Sequence, residues 1–453
     1  MEILDDKQYN NITTGKKYYI ETLGCQMNVA DSELIIAMLN DKGFIESKNP
    51  WDSDAIFINT CSIRERAEEK VHSQLGRWDL IKKKKPEVVI GVLGCMAQNL
   101  KQDLLENRPF VDIILGPDSY RKLPKLLKRA IKDENNIVDT KLSRFEVYDG
   151  LFPKRKDGVN AWVSIMRGCD KFCTFCIVPF TRGRERSRSL SSIELEVKQA
   201  VKEGFREITL LGQNVNSYKY DRFYFHNLLE NVAQIPGVDR IRYTSPHPQD
   251  MTDQLLEVMK EYDNICNYIH LPLQAGSDKI LKRMHRSYSK QEFLILAQKI
   301  RKTLPGVGIS TDIIVGFPGE TENDFMETIN VMKEVRFDSA FNFKYSPRTG
   351  TKASEYEDQI PDHIKQKRLK RVIELQKEHT LIRNKKLIGS TQTILVEKKS
   401  KMSKDHWSGR TDSNKWVIFD KGNTNVNDFV KVLIKDTKGI SLHGELINEV
   451  IAA

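Results

Sequence analysis

The chain has 453 residues, 39% of them hydrophobic, enough for ordinary globular cores and, by length, for about three domains. No apolar run approaches the roughly 20 residues of a membrane span, and the polar opening stretch, residues 1–17, has no apolar core of a secretory signal, so the expectation is a cytoplasmic protein without a membrane partner. The formal net charge of +10 favours an anionic partner such as nucleic acid, and seven cysteines in a reducing compartment point to ligands or catalysts, not to disulfides.

From the N-terminus, strand-like runs alternate with helical ones. Residues 18–25 read as a strand, and a helix follows over about 29–41, with Leu34, Ile35, Met38 and Leu39 on one face. Residues 54–61 form a second strand, about 63–84 a long charged helix, and 88–95 a third strand. A fourth strand at 111–115 and a closing helix at 123–131 complete the set. Continuous apolar strands separated by helices predict an α/β domain over residues 15–150, a doubly wound parallel sheet.

The first three strands end in Cys25, Cys61 and Cys95. Parallel strands bring such ends to one edge, where ligands of open α/β sheets bind. Two of the cysteines follow glycine (Gly24, Gly94), which lets backbone approach a bulky centre. Any one of them alone reads as a buried structural cysteine. Three at equivalent strand ends read as a shared metal site with one coordination position left open.

After a polar linker at 152–158, strands and helices alternate again. Strands are expected at 161–168, 207–212, 240–244, 267–273, 309–316 and 339–345, with helices at 192–203, 253–261 and 291–302 between them. Six such units over residues 151–385 suit a partial (β/α)6 barrel. Directly after the first strand comes Cys169-Asp170-Lys171-Phe172-Cys173-Thr174-Phe175-Cys176, a CxxxCxxC loop. That position is the C-terminal face of the barrel, where barrel active sites lie. Zinc in a structural site takes four protein ligands, whereas a four-iron cluster on three cysteines leaves one iron open; a zinc knuckle with a distant fourth ligand is the alternative. The other strand ends carry Gly212-Gln213, Ser245-Pro246-His247, Gln274-Ala275-Gly276 and Gly316-Phe317-Pro318-Gly319-Glu320, polar or glycine turns that converge on the same face. His247 and His270 read as structural, Asp312 and Glu320 as either substrate-facing groups or caps, and Cys266 as structural.

Arg182, Arg184, Arg186 and Arg188 follow the loop at every second position, so an extended segment would show all four on one face, in reach of RNA phosphates. The bland alternative is a solvated charged loop. A basic helix is expected over 363–387, with Leu369, Val372 and Ile373 packing inward. From 386 to 453 short alternating runs at 391–396, 415–419, 429–434 and 445–450, punctuated by glycine, predict a small antiparallel β-barrel. Trp407, Trp416 and Phe419, with Lys398, Lys399, Lys401 and Lys404, offer stacking and charge for a nucleic-acid strand, although core packing is the commoner role for any single aromatic.

The CxxxCxxC loop, with Phe175 before its last cysteine, resembles that of the radical S-adenosylmethionine (SAM) enzymes. The segments Thr22-Leu23-Gly24-Cys25-Gln26-Met27-Asn28, Asn59-Thr60-Cys61-Ser62-Ile63-Arg64 and Gly94-Cys95-Met96-Ala97-Gln98 resemble the N-terminal domain of the radical-SAM methylthiotransferases. Gln26-Met27-Asn28 is most similar to the branch acting on isopentenylated tRNA, and residues 386–453 resemble the TRAM domain, an OB-like RNA-binding module. The resemblance covers nearly the whole chain. It implies two [4Fe-4S] clusters, an auxiliary one on Cys25, Cys61 and Cys95 and a SAM-cleaving one on Cys169, Cys173 and Cys176. It implies SAM contacts by Phe175, Gly212, Gln213, Ser245, Gln274 and Arg283 (or nearby Arg286). The implied reaction replaces the C2 hydrogen of N6-dimethylallyladenosine at position 37 of tRNA by a methylthio group, one SAM giving the radical and one the methyl. The implied partners are that tRNA and an electron donor such as flavodoxin or ferredoxin, with the enzyme a monomer. The rival readings are a methylthiotransferase for threonylcarbamoyl-adenosine or a ribosomal protein, and a non-catalytic iron–sulfur RNA-binding regulator.

Overall fold

The computed structural model describes residues 15–61, 65–132, 136–156, 158–401 and 403–450. The chain expected to fall into three domains divides into two compact units. The first takes residues 1–156 with two later returns, 166–170 and 176–188; the second takes 157–165, 171–175 and 189–453.

In the first unit, β1 (Lys17–Leu23), β2 (Ile45–Glu46), β3 (Ala55–Thr60), β4 (Val89–Gly94), β5 (Ile113–Leu115) and β6 (Ile137–Asp139) form one sheet in the order β2-β1-β3-β4-β5-β6. Every pairing is parallel. Alternate residues of the central strands feed two separate cores. Phe57, Val89 and Leu93 pack with Leu34, Ile35 and Leu39 of the helix Gln26–Asp41 and with Leu127 of the helix Leu123–Ile131. Ile56, Ile58, Ile90 and Val92 pack on the other side with Leu75 and Trp78 of the helix Glu65–Lys84. Helices on both faces make this the doubly wound sheet that the sequence predicts. Strands β2 and β6 and the helix Cys95–Asn107 are additions; β2 and β6 are only two and three residues long, too short to leave a periodic signal. Ser62, Ile63 and Arg64, at the expected start of the charged helix, lie outside the described residues.

The chain enters the second unit with β7 (Asn160–Ser164), then returns to the first as β8 (Met166–Arg167), which pairs antiparallel with β9 (Arg186–Ser187). In the second unit β7, β10 (Glu207–Leu211) and β13 (Arg240–Tyr243) form a parallel sheet, and β14 (Tyr268–His270), β15 (Gly308–Val315) and β16 (Ser339–Lys344) form another. A parallel bridge between Ile241 and Ile265 joins the two sheets. These are the six expected strands of the partial barrel. A short antiparallel hairpin, β11 (Lys219–Tyr220) and β12 (Phe223–Tyr224), follows β10.

The helix Asp362–Lys385 departs from expectation. Val372 is buried, but Leu369 is half-buried and Ile373 faces solvent. The buried stripe is otherwise polar: Lys365, Arg368, Gln376, Thr380 and Asn384. The cause is what the stripe packs against. Arg368 donates to the buried Glu320 carboxylate (2.8 Å), Gln376 to the Phe337 carbonyl (2.9 Å) and Thr380 to the Asp338 carbonyl (3.0 Å), so the polar side chains satisfy groups that an apolar face would strand.

The C-terminal residues form a closed barrel in the order β17 (Thr391–Lys399), β18 (His406–Arg410), β19 (Trp416–Asp420), β21 (Ser441–Val450), β20 (Phe429–Lys438). Trp407 and Phe419 are in its core with Val417, Val432 and Ile434. They are therefore not available for stacking on RNA. Trp416 is half-buried, with the Lys398 ammonium 4.4 Å from its ring centroid.

This barrel is tied to the N-terminal ends of the parallel strands. Glu207, the first residue of β10, is fully buried and takes both Arg242 and Arg410 at 2.9 Å. Arg240, the first residue of β13, donates to the carbonyls of Arg410 and Thr393 at 2.8 Å. The guanidinium groups of Arg206 and Arg240 lie over the Phe429 ring. These contacts tie the barrel to the strand ends within the second unit. Among the described residues, no helix is long and apolar enough to cross a membrane.

Candidate active site

In the first unit the three strand-end cysteines meet at one rim. Cys25 caps the N-terminus of the helix Gln26–Asp41, Cys61 follows β3, and Cys95 opens the helix Cys95–Asn107. Two buried asparagines hold the strand ends in place. Asn28 accepts from the Cys25 backbone N–H (3.3 Å) and donates to Asn59 Oδ1 (3.2 Å), while Asn59 donates to the Asn28 carbonyl (3.0 Å) and Ser32 Oγ (2.9 Å). The glycines serve this clamp. At Gly24 (φ 154°) a Cβ would fall 2.5 Å from Asn28 Oδ1 and 2.9 Å from Cys61 Cβ, and at Gly94 (φ 92°) 2.5 Å from Asn59 Oδ1.

The thiols are electrostatically linked. A hydrogen bond from Cys61, and behind it the charge of Arg182, bring the Cys25 thiol down to about 6. Burial pushes the Cys95 thiol up, and Arg182 works against that shift. Arg182 itself is buried. Its Nε donates to Cys95 Sγ (3.2 Å), its Nη2 to Asp31 (2.9 Å), and its Nη1 has no hydrogen-bond partner among the described residues. A buried guanidinium with one unspent donor beside the thiols of Cys95 and Cys25 suits an additional anionic group. No three His, Cys, Asp or Glu side chains among the described residues close round a single ion; a four-iron cluster is much wider than one ion, so its ligands stand further apart.

The alternating arginines do not form an open row. Arg182 pairs with Asp31, Arg186 with Asp118 (2.9 Å) and Arg188 with Asp149 (3.2 Å), and all three are buried. Arg167 also pairs with Asp31 and lies 4.5 Å from the Tyr148 ring centroid. Only Arg184 reaches solvent, and it pairs with Asp170 at 2.6 Å. The buried carboxylates of Asp31 and Asp118 and the half-exposed one of Asp149, from distant parts of the chain, turn the segment into internal bracing, which corrects the expectation of four phosphate-facing side chains.

In the second unit, residues 171–175 of the cysteine loop are held from several sides. Lys171 pairs with Asp250 (2.8 Å), which also accepts from Asn214 (2.9 Å). Thr174 bonds through its hydroxyl and N–H to the carbonyls of Arg283 and Met284, and its own carbonyl accepts from Ala353. Cys173 Sγ accepts from Arg286 Nη1 at 3.3 Å, and Arg286 is fixed by Tyr288 and the Pro272 carbonyl. Phe175 packs edge-on to the buried Phe317. Of the two candidate arginines, Arg286 therefore touches the loop through its side chain, whereas Arg283 is occupied by Asp358 (2.7 Å) and lies over Tyr356.

The remaining expected contacts lie at the C-terminal strand ends. Gly212 is buried and Gln213 half-buried after β10. Ser245 (φ 57°) after β13 is exposed, and Gln274 (φ 68°) after β14 is buried, its Oε1 lacking a partner among the described residues. Left-handed backbone at two non-glycine residues costs on the order of 1–3 kcal/mol each and gathers at functional sites. His247 is structural: burial pulls its imidazole down to about 2, and Nδ1 accepts the Gln249 N–H. Glu320 is also structural, accepting the Gly316 N–H (2.6 Å) and Arg368. Cys266 is buried, which pushes its thiol up to about 12. His270 and Asp312 belong to a chain on one face of the sheet, Tyr268–Ser310–His270–Asp312, with links of 2.5, 2.8 and 3.3 Å. Sequence reading missed this chain and Asp31; Asp31 follows Asn28 by three residues, one helical turn further along the same face.

Three family models match the chain in order: "Uncharacterized protein family UPF0004" over residues 17–116, "Radical SAM superfamily" over 163–332 and "TRAM domain" over 385–447. A protein of Carboxydothermus hydrogenoformans named tRNA-2-methylthio-N(6)-dimethylallyladenosine synthase is 47% identical over 437 residues, covering 95% of this chain and 99% of that one. This chain belongs to that family of radical-SAM methylthiotransferases. Relatives of the same name from Christiangramia forsetii (42% identical, 98% of each chain) and Porphyromonas gingivalis (47% identical, 95% of each) agree with it. Among solved structures, the radical S-adenosylmethionine methyltransferase TsrM from Kitasatospora setae aligns with a TM-score of 0.55 at 12% identity, over 75% of this chain and 77% of that one. The cobalamin-dependent radical enzyme OxsB aligns at 0.52 and 11%, over 84% and 60%. At such identities the two structures speak for the fold alone.

Proposed function

We propose that this methylthiotransferase converts N6-dimethylallyladenosine at position 37 of tRNA into its 2-methylthio derivative. The observation that carries the reading is near-full-length identity to synthases of that name. The geometry fits it. Cys25, Cys61 and Cys95 would hold one [4Fe-4S] cluster and Cys169, Cys173 and Cys176 the other. Gly212, Gln213, Ser245, Gln274, Phe175 and Arg286 would line the SAM site, with Arg283 supporting the cysteine loop through its carbonyl.

When bound, the two clusters, the SAM-cleaving one reduced, and SAM would supply what an unactivated C2–H demands: hydrogen abstraction, sulfur and a methyl group. The chain's own residues position and insulate. Arg286 places a fixed cation against Cys173, and Arg182 does the same for Cys95. The Asn28–Asn59 clamp keeps Cys25 and Cys61 side by side. Substrate RNA brings its base unstacked, which is cheap in an anticodon loop. An electron donor such as flavodoxin or ferredoxin, a monomeric state and a cytoplasmic location belong to the same proposal.

The test is anaerobic. Protein reconstituted with iron and sulfide is reduced and given SAM and isopentenylated tRNA, and the digested RNA is analysed by mass spectrometry. The methylthio nucleoside should appear with isopentenylated tRNA and be absent with unmodified tRNA. SAM cleavage without a changed nucleoside would move the substrate to threonylcarbamoylated tRNA. Intact SAM with both clusters loaded would overturn the enzyme reading.

A further inference from the structure

The C-terminal barrel braces the N-terminal ends of the parallel strands, whereas the cysteine loop follows a C-terminal strand end. RNA next to the reacting base must therefore meet, on this unit, elements that emerge at the C-terminal strand ends. One of them is built unlike its neighbours. After β10 the chain runs through Asn214 and Asn216 into the hairpin β11–β12, Lys219-Tyr220-Asp221-Arg222-Phe223-Tyr224.

The root of the hairpin is rigid. Asn214 donates to Asp250, which pairs with Lys171 of the cysteine loop. Asn216 and His247 exchange two hydrogen bonds, Nδ2 to the His247 carbonyl (3.0 Å) and the His247 N–H to Oδ1 (2.7 Å). Val215 and Tyr218 are buried. The tip, by contrast, is open. Tyr220 is 42% and Tyr224 49% exposed, Phe223 is half-buried, and Lys219, Asp221 and Arg222 face solvent.

Pairing of Lys219 with Tyr224 and of Tyr220 with Phe223 puts one tyrosine on each face of the ribbon. The cations are laid over the rings: Lys219 5.5 Å from the Tyr224 centroid and Arg222 5.4 Å from that of Phe223. Tyr224 is further aligned by stacking with His226 at an interplanar angle of 3°. Two exposed tyrosines and two exposed cations thus fall within six residues. Aromatic planes interleaved with cations are what unpaired nucleotides bind, base on ring and phosphate on cation.

We propose that the hairpin Lys219–Tyr224 is a contact surface for single-stranded RNA and takes nucleotides flanking the reacting adenosine, Tyr220 and Tyr224 stacking bases and Lys219 and Arg222 meeting phosphates. The proposal rests on tRNA being the substrate. Its role is in holding RNA, not in SAM cleavage.

The test uses the full-length reconstituted enzyme and a fluorescent anticodon stem-loop RNA carrying the dimethylallyl group. Wild type, Y220A, Y224A, Y224F and a K219Q/R222Q double variant are compared by anisotropy across a salt series, with circular dichroism to check the fold. Each Tyr→Ala change should raise Kd by roughly five- to a hundredfold, as loss of one base stack does, while Y224F binds like wild type. K219Q/R222Q should flatten the salt dependence by about one per lost phosphate contact. Reductive SAM cleavage without RNA should be unchanged in all four. Kd unchanged in both alanine variants would overturn the proposal. So would unchanged Kd with slower reduction by a flavodoxin, which would give the hairpin to a protein partner. If wild type binds the RNA and loses affinity in the variants but makes no methylthio product, the hairpin proposal stands and the assigned reaction falls.

Discussion

Arg182 Nε donates to Cys95 Sγ across 3.2 Å while its Nη2 holds Asp31 at 2.9 Å, so one buried guanidinium bonds both a candidate cluster ligand and a buried carboxylate. The sequence separates Cys95 and Arg182 widely, yet the return of residues 176–188 to the first unit brings them together. A charge there offsets thiolates in a setting where water cannot.

Arg182→Met should therefore impair the site on Cys25, Cys61 and Cys95 more than the site on Cys169, Cys173 and Cys176. Iron per reconstituted chain should fall from about eight toward about four, the content of one remaining cluster. Stability should fall by an amount near the low end of the roughly 3–5 kcal/mol of a broken buried pair, because Arg167 still holds Asp31. Iron analysis with electron paramagnetic resonance checks this. Full iron loading with unchanged spectra would show that Arg182 is only a structural brace.

The two cysteine sets should separate functionally. Cys61→Ala and Cys169→Ala should both abolish methylthiolation, but only Cys169→Ala should abolish reductive SAM cleavage, followed as release of 5′-deoxyadenosine. Product formed by Cys61→Ala would remove the role of the first set.

His247 gives a pH dependence with a definite sign. Its folded imidazole titrates near 2 because it is buried, against about 6.5 in an unfolded chain. The unfolded state takes up the proton first, so stability contributed above 6.5 is lost as pH falls toward 2. At pH 5 the loss is about 2 kcal/mol relative to pH 7. His247→Asn keeps a side-chain acceptor for the Gln249 N–H and should show a drop smaller by that amount in urea unfolding at the two pH values. Parallel pH profiles for the two proteins would contradict the assignment.

Glu207 decides whether the C-terminal barrel stays docked. Burial opposes its charge, but Arg242 and Arg410 hold the carboxylate below the usual range. Glu207→Gln takes the paired carboxylate from the buried Arg242, while Arg410 keeps Glu397, and should cost about 3 kcal/mol, the low end for a broken buried pair. The barrel should then become separable from the core by limited proteolysis near residues 386–390, at a protease level that leaves wild type whole. Unchanged digestion would mean that Arg240 and the Phe429 contacts suffice for docking.

The sequence alone determined the elements whose signal is local. The CxxxCxxC spacing is covalent, and continuous apolar strands such as Ile56-Phe57-Ile58 state both sheet faces at once, so the parallel sheets and the two cysteine sets were legible before any coordinates. What depends on partners far along the chain was not. Alternation suggested that Arg182, Arg186 and Arg188 share an exposed face, but Asp31, Asp118 and Asp149 reach them across long separations and bury them. Apolar spacing suggested an inward Leu369 and Ile373, but backbone carbonyls at Phe337 and Asp338 select the polar face of that helix. The docking of the barrel on Glu207 and Arg240 likewise has no sequence signature. The reason is common to all three. Burial of a polar or charged group is decided by the energy of its specific partner, and only the tertiary structure says which group that is.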